Sequence, residues 1–95
     1  MKNCHTDETE ALFRAILSLR TVEECSAFFE DACTIKEITE IAQRLKVAKL
    51  LQQGTSYHTI SEETGVSTTT ISRVNKCLAY GNGGYALVIE RTQEK

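Results

Sequence analysis

Residues 57–78 read YHTISEETGVSTTTISRVNKCL, and this stretch decides the fold. On both sides of Gly65 the apolar residues recur at helical spacing, which predicts one helix over 57–64 and another over 68–80. Gly65 supplies at low cost the left-handed backbone that a tight turn between two helices requires. The pattern therefore predicts a helix-turn-helix over about residues 56–80, a motif whose second helix enters the DNA major groove.

The two predicted helices have an apolar inner stripe and a polar outer face. The inner stripe is predicted to contain Ile60, Val66, Ile71, Val74 and Leu78. Because successive helical residues are about 100° apart, the remaining positions of the second helix turn outward. This outer face carries small hydroxyl groups and two cations, at Thr68, Thr69, Ser72, Arg73 and Lys76.

The outer face suits the edges and backbone of DNA. Thr68 and Thr69 occupy the first turn of the second helix, the part that reaches base edges in this motif. A threonine offers a hydroxyl group to bases and a methyl group to thymine. Ser72 lies one turn further along. Lys76 is predicted to contact a phosphate, and Arg73 either a phosphate or a guanine.

Four further residues are candidates for contacts with the DNA backbone. Ser67 and the free amides that follow it suit a phosphate oxygen, and helix capping alone would also explain a serine there. His58, on the outer face of the first helix of the motif, either contacts the DNA backbone or is a surface histidine without a functional role. Arg44 and Lys49, which precede the motif, either contact flanking phosphates or keep their face soluble.

The charge is distributed in a way that agrees with this interpretation. The net charge is −2 over 95 residues, which by itself argues against a nucleic-acid partner. Residues 1–42 carry four basic and nine acidic side chains, whereas residues 43–80 carry five basic and two acidic ones. Attraction to phosphate depends on the local face, and the positive segment contains the predicted helix-turn-helix.

The whole chain is predicted to be one all-α domain over residues 1–95. Six helices are expected, at about 7–20, 22–32, 35–53, 57–64, 68–80 and 85–93. Capping boxes are predicted at Thr21 with Glu24 and at Thr34 with Glu37, where hydroxyl and carboxylate satisfy each other's backbone amides. The absence of proline suits such a series of helices.

Several classes of protein are excluded by composition and spacing. No apolar run approaches the roughly 20 residues that span a bilayer, and the N-terminus is polar and acidic, so a cytoplasmic protein is expected. The four cysteines form no Cys-x-x-Cys pair, so no metal site is predicted. They are Cys4, Cys25, Cys33 and Cys77. No phosphate loop and no nucleophile–base pair is evident, so an enzyme is not predicted.

The third and sixth predicted helices carry more apolar residues than the rest of their own chain could bury. The stripe of the third helix is wider than one short partner helix would bury, although a buried helix inside a monomer would look the same. We therefore predict a homodimer held together by about residues 8–53 and 84–94.

Four segments carry a resemblance to a known family. They are ILSLRTVEEC (16–25), FFEDACTIKEITEIAQRLKVAKLL (28–51), the stretch 57–78 and YGNGGY (80–85). Over about residues 8–94 the chain resembles the Trp repressor superfamily, and within it the YerC/YecD branch. The resemblance implies an intertwined homodimer of the bacterial cytoplasm, with two helix-turn-helix heads that meet successive major grooves about 34 Å apart on a palindromic operator.

The resemblance also implies a ligand site, from which this chain departs. In Trp repressor, tryptophan lies between an arginine of the central helix and one of the recognition helix, and a glycine follows the latter. Arg73 matches the second arginine. Gln43 stands at the first position, with Arg44 one residue on and turned by about 100°. Val74 replaces the glycine and is expected to fill the ligand's space.

These four residues, Gln43, Arg44, Arg73 and Val74, form the candidate ligand pocket. Tryptophan is predicted not to be the co-repressor, and no other cofactor is implied. The leading hypothesis is a dimeric, sequence-specific transcriptional regulator, with repression as its expected direction. The alternative is a protein-interaction module that uses the helical hairpin without binding DNA.

Overall fold

The computed structural model describes residues 6–93, and within this range the chain has helices and no strands. The helices are α1 (Asp7–Leu17), α2 (Val22–Ala32), α3 (Ile35–Gln52), α4 (Tyr57–Thr64), α5 (Thr68–Tyr80) and α6 (Gly84–Thr92). The predicted all-α class is thereby confirmed. Cys4 and position 94 of the predicted dimerisation segment lie outside the described residues.

The described chain divides into two compact units, and the boundary lies inside α3 between Ile38 and Thr39. The first unit contains α1, α2 and the start of α3. The second contains the rest of α3 and the helices α4 to α6.

In the first unit, local hydrogen bonds set where the helices begin and end. The Thr6 and Thr9 hydroxyl groups accept from each other's backbone amides at 3.1 and 2.8 Å, which opens α1. The helix ends at Leu17, so the prediction of a helix to residue 20 was wrong. The reason is local, because the Ser18 hydroxyl donates to the Ala15 carbonyl at 2.6 Å and closes the last turn.

The two predicted capping boxes differ in their outcome. At Thr34 and Glu37 both halves are present: the Thr34 N–H donates to Glu37 Oε1 at 2.8 Å, and the Glu37 N–H donates to Thr34 Oγ1 at 3.1 Å. Thr21 Oγ1 likewise accepts from the Glu24 N–H at 3.0 Å. The Glu24 carboxylate, however, accepts from the amide of Arg20 at 2.8 Å, one residue before the predicted donor.

Within a single chain, the first unit leaves much apolar surface uncovered. Neither α1 nor α2 contains a fully buried residue. Leu17, Val22 and Ile35 are 82%, 80% and 79% exposed. Within the single chain these three large apolar side chains are therefore left to solvent.

The second unit has a conventional apolar core to which every one of its helices contributes. The core consists of Val47, Ala48, Ile60, Val66, Ile71, Val74 and Ile89. Leu78 packs against it, so the predicted inner stripe of the helix-turn-helix is confirmed. The sixth helix was assigned wholly to a partner, and this is wrong for Ile89, which packs into the core of its own chain.

Candidate nucleic-acid interface

The turn between α4 and α5 is held by side chains of α4. Gly65 has φ 74°, the left-handed conformation that glycine adopts without strain. The Ser61 hydroxyl donates to the Val66 carbonyl at 2.8 Å. Thr64 Oγ1 donates to the Ile60 carbonyl at 2.7 Å and accepts from the Val66 N–H at 3.1 Å. These bonds fix the direction in which α5 leaves the turn.

The start of α5 is capped as predicted. Ser67 Oγ accepts from the Thr70 N–H at 3.2 Å and donates to Thr70 Oγ1 at the same distance. Of the three consecutive threonines, Thr70 is therefore used within the helix cap. The amides of Thr68 and Thr69 are among the first-turn N–H groups that an α-helix leaves without an intrahelical partner.

Five of the predicted DNA-binding residues come together on one surface. A shallow hollow on the second unit, here called the outer depression, is lined by Tyr57, Thr68, Thr69, Ser72, Arg73 and Lys76. The first residue of this set comes from α4 and the other five from α5. The helix-turn-helix thus presents hydroxyl groups and two cations side by side, as the outward positions of α5 predicted.

The hydroxyl groups of the helix-turn-helix fall into two classes. Those that hold the turn and the caps all make hydrogen bonds within the chain, at Ser56, Thr59, Ser61, Thr64, Ser67 and Thr70. Over residues 6–93, by contrast, the hydroxyl groups of Thr68, Thr69 and Ser72 make none, and Arg73 and Lys76 have no ion-pair partner. The polar groups that face the outer depression are therefore available to a ligand.

Four other candidates lie away from the outer depression. His58 is on the outer face of α4, with Nε2 at 3.3 Å from a carboxylate oxygen of Glu62. Lys49 lies beside the end of α6, in a groove shared with Ile89 and Thr92. Ser67 and Arg44 line a different hollow, which is described next. Their proposed phosphate contacts remain predictions.

A second hollow, here called the inner cavity, lies between α3 and the start of α5. Its volume is about 310 Å³, and its lining consists of Glu40, Gln43, Arg44, Val66, Ser67, Thr70 and Arg73. Three of the four predicted pocket residues are therefore together. Arg44 reaches the cavity although it follows Gln43 directly, because an arginine side chain is long enough to return from a neighbouring helix position.

The fourth predicted pocket residue was misplaced. Val74 is 2% exposed and belongs to the core, and it does not line the inner cavity. Val74 lies one helical turn after Ile71, which is also buried, so both side chains turn into the core, to which Val47 and Ala48 of α3 contribute, and not into the cavity. Glu40 is a lining residue that the sequence analysis missed, and its position one helical turn before Arg44 is the signal that could have identified it.

The lining of the inner cavity is mostly polar. Ligand sites for apolar rings are built mostly from hydrophobic and aromatic side chains. Here Val66 is the single hydrophobic side chain among charged, amide and hydroxyl groups. The absence of a tryptophan co-repressor stays a prediction.

The described residues also bear on metal binding, membrane insertion and disulfide formation. Within residues 6–93, no three histidine, cysteine, aspartate or glutamate side chains are grouped so that they could hold a metal ion. No helix in that range combines the length and the apolarity that crossing a bilayer requires. Cys25, Cys33 and Cys77 are free thiols.

The sequence of this chain is similar to sequences of known proteins. The family model described as Trp repressor protein matches residues 7–93. The uncharacterized protein YerC of Bacillus subtilis (strain 168) is 54% identical over 87 residues, which cover 92% of this chain and 84% of that protein.

Two solved structures are similar to this chain in both sequence and fold. A TrpR-like protein from Eubacterium eligens ATCC 27750 has a TM-score of 0.89 at 53% identity, over 95% of each chain. A provisionally assigned Trp repressor from Staphylococcus aureus has a TM-score of 0.88 at 47% identity, over 92% of this chain and 87% of its own. The chain therefore belongs to the Trp repressor family, in its YerC-like branch, and has the all-helical fold of that family.

Proposed function

We propose that this chain is a sequence-specific DNA-binding transcriptional regulator that acts as a homodimer and represses its targets. The observation that carries the proposal is the outer depression, where Thr68, Thr69, Ser72, Arg73 and Lys76 lie together with their polar groups unused by the chain itself. A recognition helix needs this combination of uncharged groups that discriminate bases and cations that neutralise phosphates.

The charge of the second unit supports the same proposal. Its described residues include the whole of the basic segment 43–80, whereas the acidic excess lies in the first unit. Cations near an exposed recognition helix attract DNA even when the whole protein is slightly negative. The relatives include a provisionally assigned Trp repressor, which agrees with a role in regulation.

The exposed apolar side chains support dimerisation. Leu17, Val22 and Ile35 of the first unit are almost as exposed as they would be in an unfolded chain. On α6, Leu87 and Val88 are 45% and 44% exposed, although Ile89 between them and the helix end is buried. A second copy that covered these surfaces would remove apolar area from water, at about 25 cal/mol for each Å². A two-fold dimer would read a palindromic operator.

The decisive test is selection of duplexes from a random library, followed by fluorescence-anisotropy titration of the enriched sequence over a series of salt concentrations. The double variant Arg73→Ala, Lys76→Ala is expected to lose most of its affinity. Its log–log salt slope should fall by about 0.9 for each lost phosphate contact. The matched control is Lys46→Ala, Arg91→Ala, which removes the same charge from positions outside the outer depression.

Sedimentation of the same proteins separates the two parts of the proposal. Both double variants should remain dimers, because the substituted residues are not among the exposed apolar side chains. If the Arg73, Lys76 variant binds the selected duplex as tightly as the parent, the assignment of the interface is wrong. If no duplex is enriched at all, the hairpin is better explained as a protein-interaction module.

A further inference from the structure

Tyr57 lines the outer depression together with the DNA-binding candidates of α5. It is the first residue of α4, and it shares the depression with Arg73 and Lys76 of α5. The residue is 37% exposed, so it faces solvent at the rim of the depression. Within residues 6–93 the phenol hydroxyl has no hydrogen-bond partner.

The backbone beneath Tyr57 is firmly held. The preceding residue, Ser56, caps α4: its hydroxyl accepts from the Thr59 N–H at 3.2 Å and donates to Thr59 Oγ1 at 3.0 Å. Three residues after Tyr57, Ile60 is fully buried in the core. A tyrosine has only two side-chain torsions to restrict, so placing it on an anchored first turn leaves little entropy to lose on binding.

We propose that Tyr57 is a DNA-positioning contact whose phenol O–H donates a hydrogen bond to a phosphate oxygen. This inference rests on the proposed function. In a helix-turn-helix, the second helix reads base edges while the first helix crosses the sugar–phosphate backbone. Tyr57 belongs to α4 but lines a depression that is formed mostly by α5. It is therefore placed to contact the sugar–phosphate backbone next to the bases that Thr68 and Thr69 are proposed to read. Tyrosine is among the side chains that make such phosphate contacts.

An uncharged donor has a signature that a lysine or arginine lacks. A cation that neutralises a phosphate releases a counterion and steepens the salt dependence, whereas a phenol releases none. Loss of the Tyr57 hydroxyl should therefore weaken binding equally at every salt concentration. Base preference should not change, because a phosphate contact carries no sequence information.

The first experiment compares the dimeric full chain with its Tyr57→Phe variant on the selected duplex. We expect the variant to bind about tenfold more weakly, as for loss of one hydrogen bond to a charged group, with an unchanged salt slope and an unchanged preferred sequence. The matched control is Tyr80→Phe. Tyr80 ends α5, is 85% exposed and does not line the outer depression, so its hydroxyl should be dispensable.

A second measurement locates the contact. Each phosphate of the duplex is replaced in turn by an uncharged methylphosphonate, and both proteins are titrated. At one position in each half-site the parent should lose affinity while Tyr57→Phe loses almost none, because the partner group is already missing. Additive losses at every position would overturn the phosphate assignment.

The outcomes distinguish this inference from the proposed function. If the parent binds DNA and Tyr57→Phe binds equally well, the Tyr57 inference fails and the regulator proposal stands. A changed salt slope or a changed base preference also overturns it. If neither protein binds any duplex, both proposals fail together. Equal thermal unfolding midpoints for the two proteins would show that a lost affinity is not a folding defect.

Discussion

Ser61 and Val66 are joined by a hydrogen bond of 2.8 Å from the serine hydroxyl to the valine carbonyl, which spans the turn of the helix-turn-helix. Ser61→Ala leaves a partly buried carbonyl without this donor, so we expect a loss of about 1–2 kcal/mol in the free energy of unfolding. Urea unfolding measures it. Ser72→Ala is the control, since its exposed hydroxyl has no partner in residues 6–93, and it should leave stability unchanged.

Gly65 should tolerate alanine poorly for a reason confined to its backbone. A Cβ atom at Gly65 would meet nothing within 4 Å, but φ is +74°. The left-handed conformation costs an L-residue about 1–2 kcal/mol, so Gly65→Ala should lower the thermal midpoint. Gly84→Ala offers the comparison, because Gly84 also has open space and its φ is not positive. Equal midpoints for the two variants would contradict this explanation.

Glu37 should make stability depend on pH in acid. Its hydrogen bonds from the Thr34 amide and hydroxyl hold the pKa of the carboxyl below its ordinary value of 4.5. A group with a lowered pKa in the folded chain stabilises it above the unfolded value, and that stabilisation is lost as the pH falls through the folded pKa. The parent should therefore exceed Glu37→Gln in thermal midpoint at neutral pH, and the gap should close below pH 4.5.

A charge-matched control belongs with the Glu37 experiment. Glu63→Gln removes the same charge from an exposed carboxylate that has no hydrogen-bond partner within residues 6–93. If the Glu37 variant and the Glu63 variant change with pH in the same way, the capping box is not the cause.

Thr69 should contribute to base preference rather than to general affinity. Thr69→Val keeps the shape and a methyl group but removes a hydroxyl that makes no bond within the described chain. We expect discrimination at one base pair of each half-site to fall by about tenfold, with an unchanged salt slope. Repeating the duplex selection with the variant measures this. A uniform weakening on all sequences would instead assign Thr69 to the backbone.

Tryptophan should have no effect on this protein. The inner cavity surrounds any ligand with Glu40, Gln43, Arg44 and Arg73 and offers an indole only Val66 as an apolar surface. Calorimetric titration with L-tryptophan is expected to give no binding heat, and the enriched duplex should be the same with and without it. Binding with micromolar affinity would contradict this prediction.

The helix-turn-helix could be predicted well because its signals are local. The bounds of α4 and α5 match the predicted 57–64 and 68–80, since a capping serine before each helix and a left-handed glycine between them act within one turn. The end of α1 at Leu17 was missed because the Ser18 hydroxyl closes that helix, and nothing in the apolar spacing indicates it. The position of a serine or threonine in the sequence could not show whether its hydroxyl group makes a hydrogen bond within a helix cap.

The sites formed between helices were predicted less completely. The candidate pocket included Val74, which lies in the core and does not line the inner cavity. The lining of the cavity depends on how far α3 lies from α5, a distance that helical periodicity does not contain. Glu40 was missed for the same reason, because it lines a cavity that α3 forms together with the start of α5.

Arg73 lines both the inner cavity and the outer depression. One residue therefore borders two surfaces, so a ligand that contacted Arg73 in one of them would change the surroundings of the other. Linkage of this kind is reciprocal: a small molecule that altered operator affinity by some factor would itself be held more or less tightly by the same factor on the operator. A substitution of Arg73 that suited one surface would therefore also alter the other. Glu40 and Gln43 line the inner cavity but not the outer depression, so substitutions there could change the cavity without this effect.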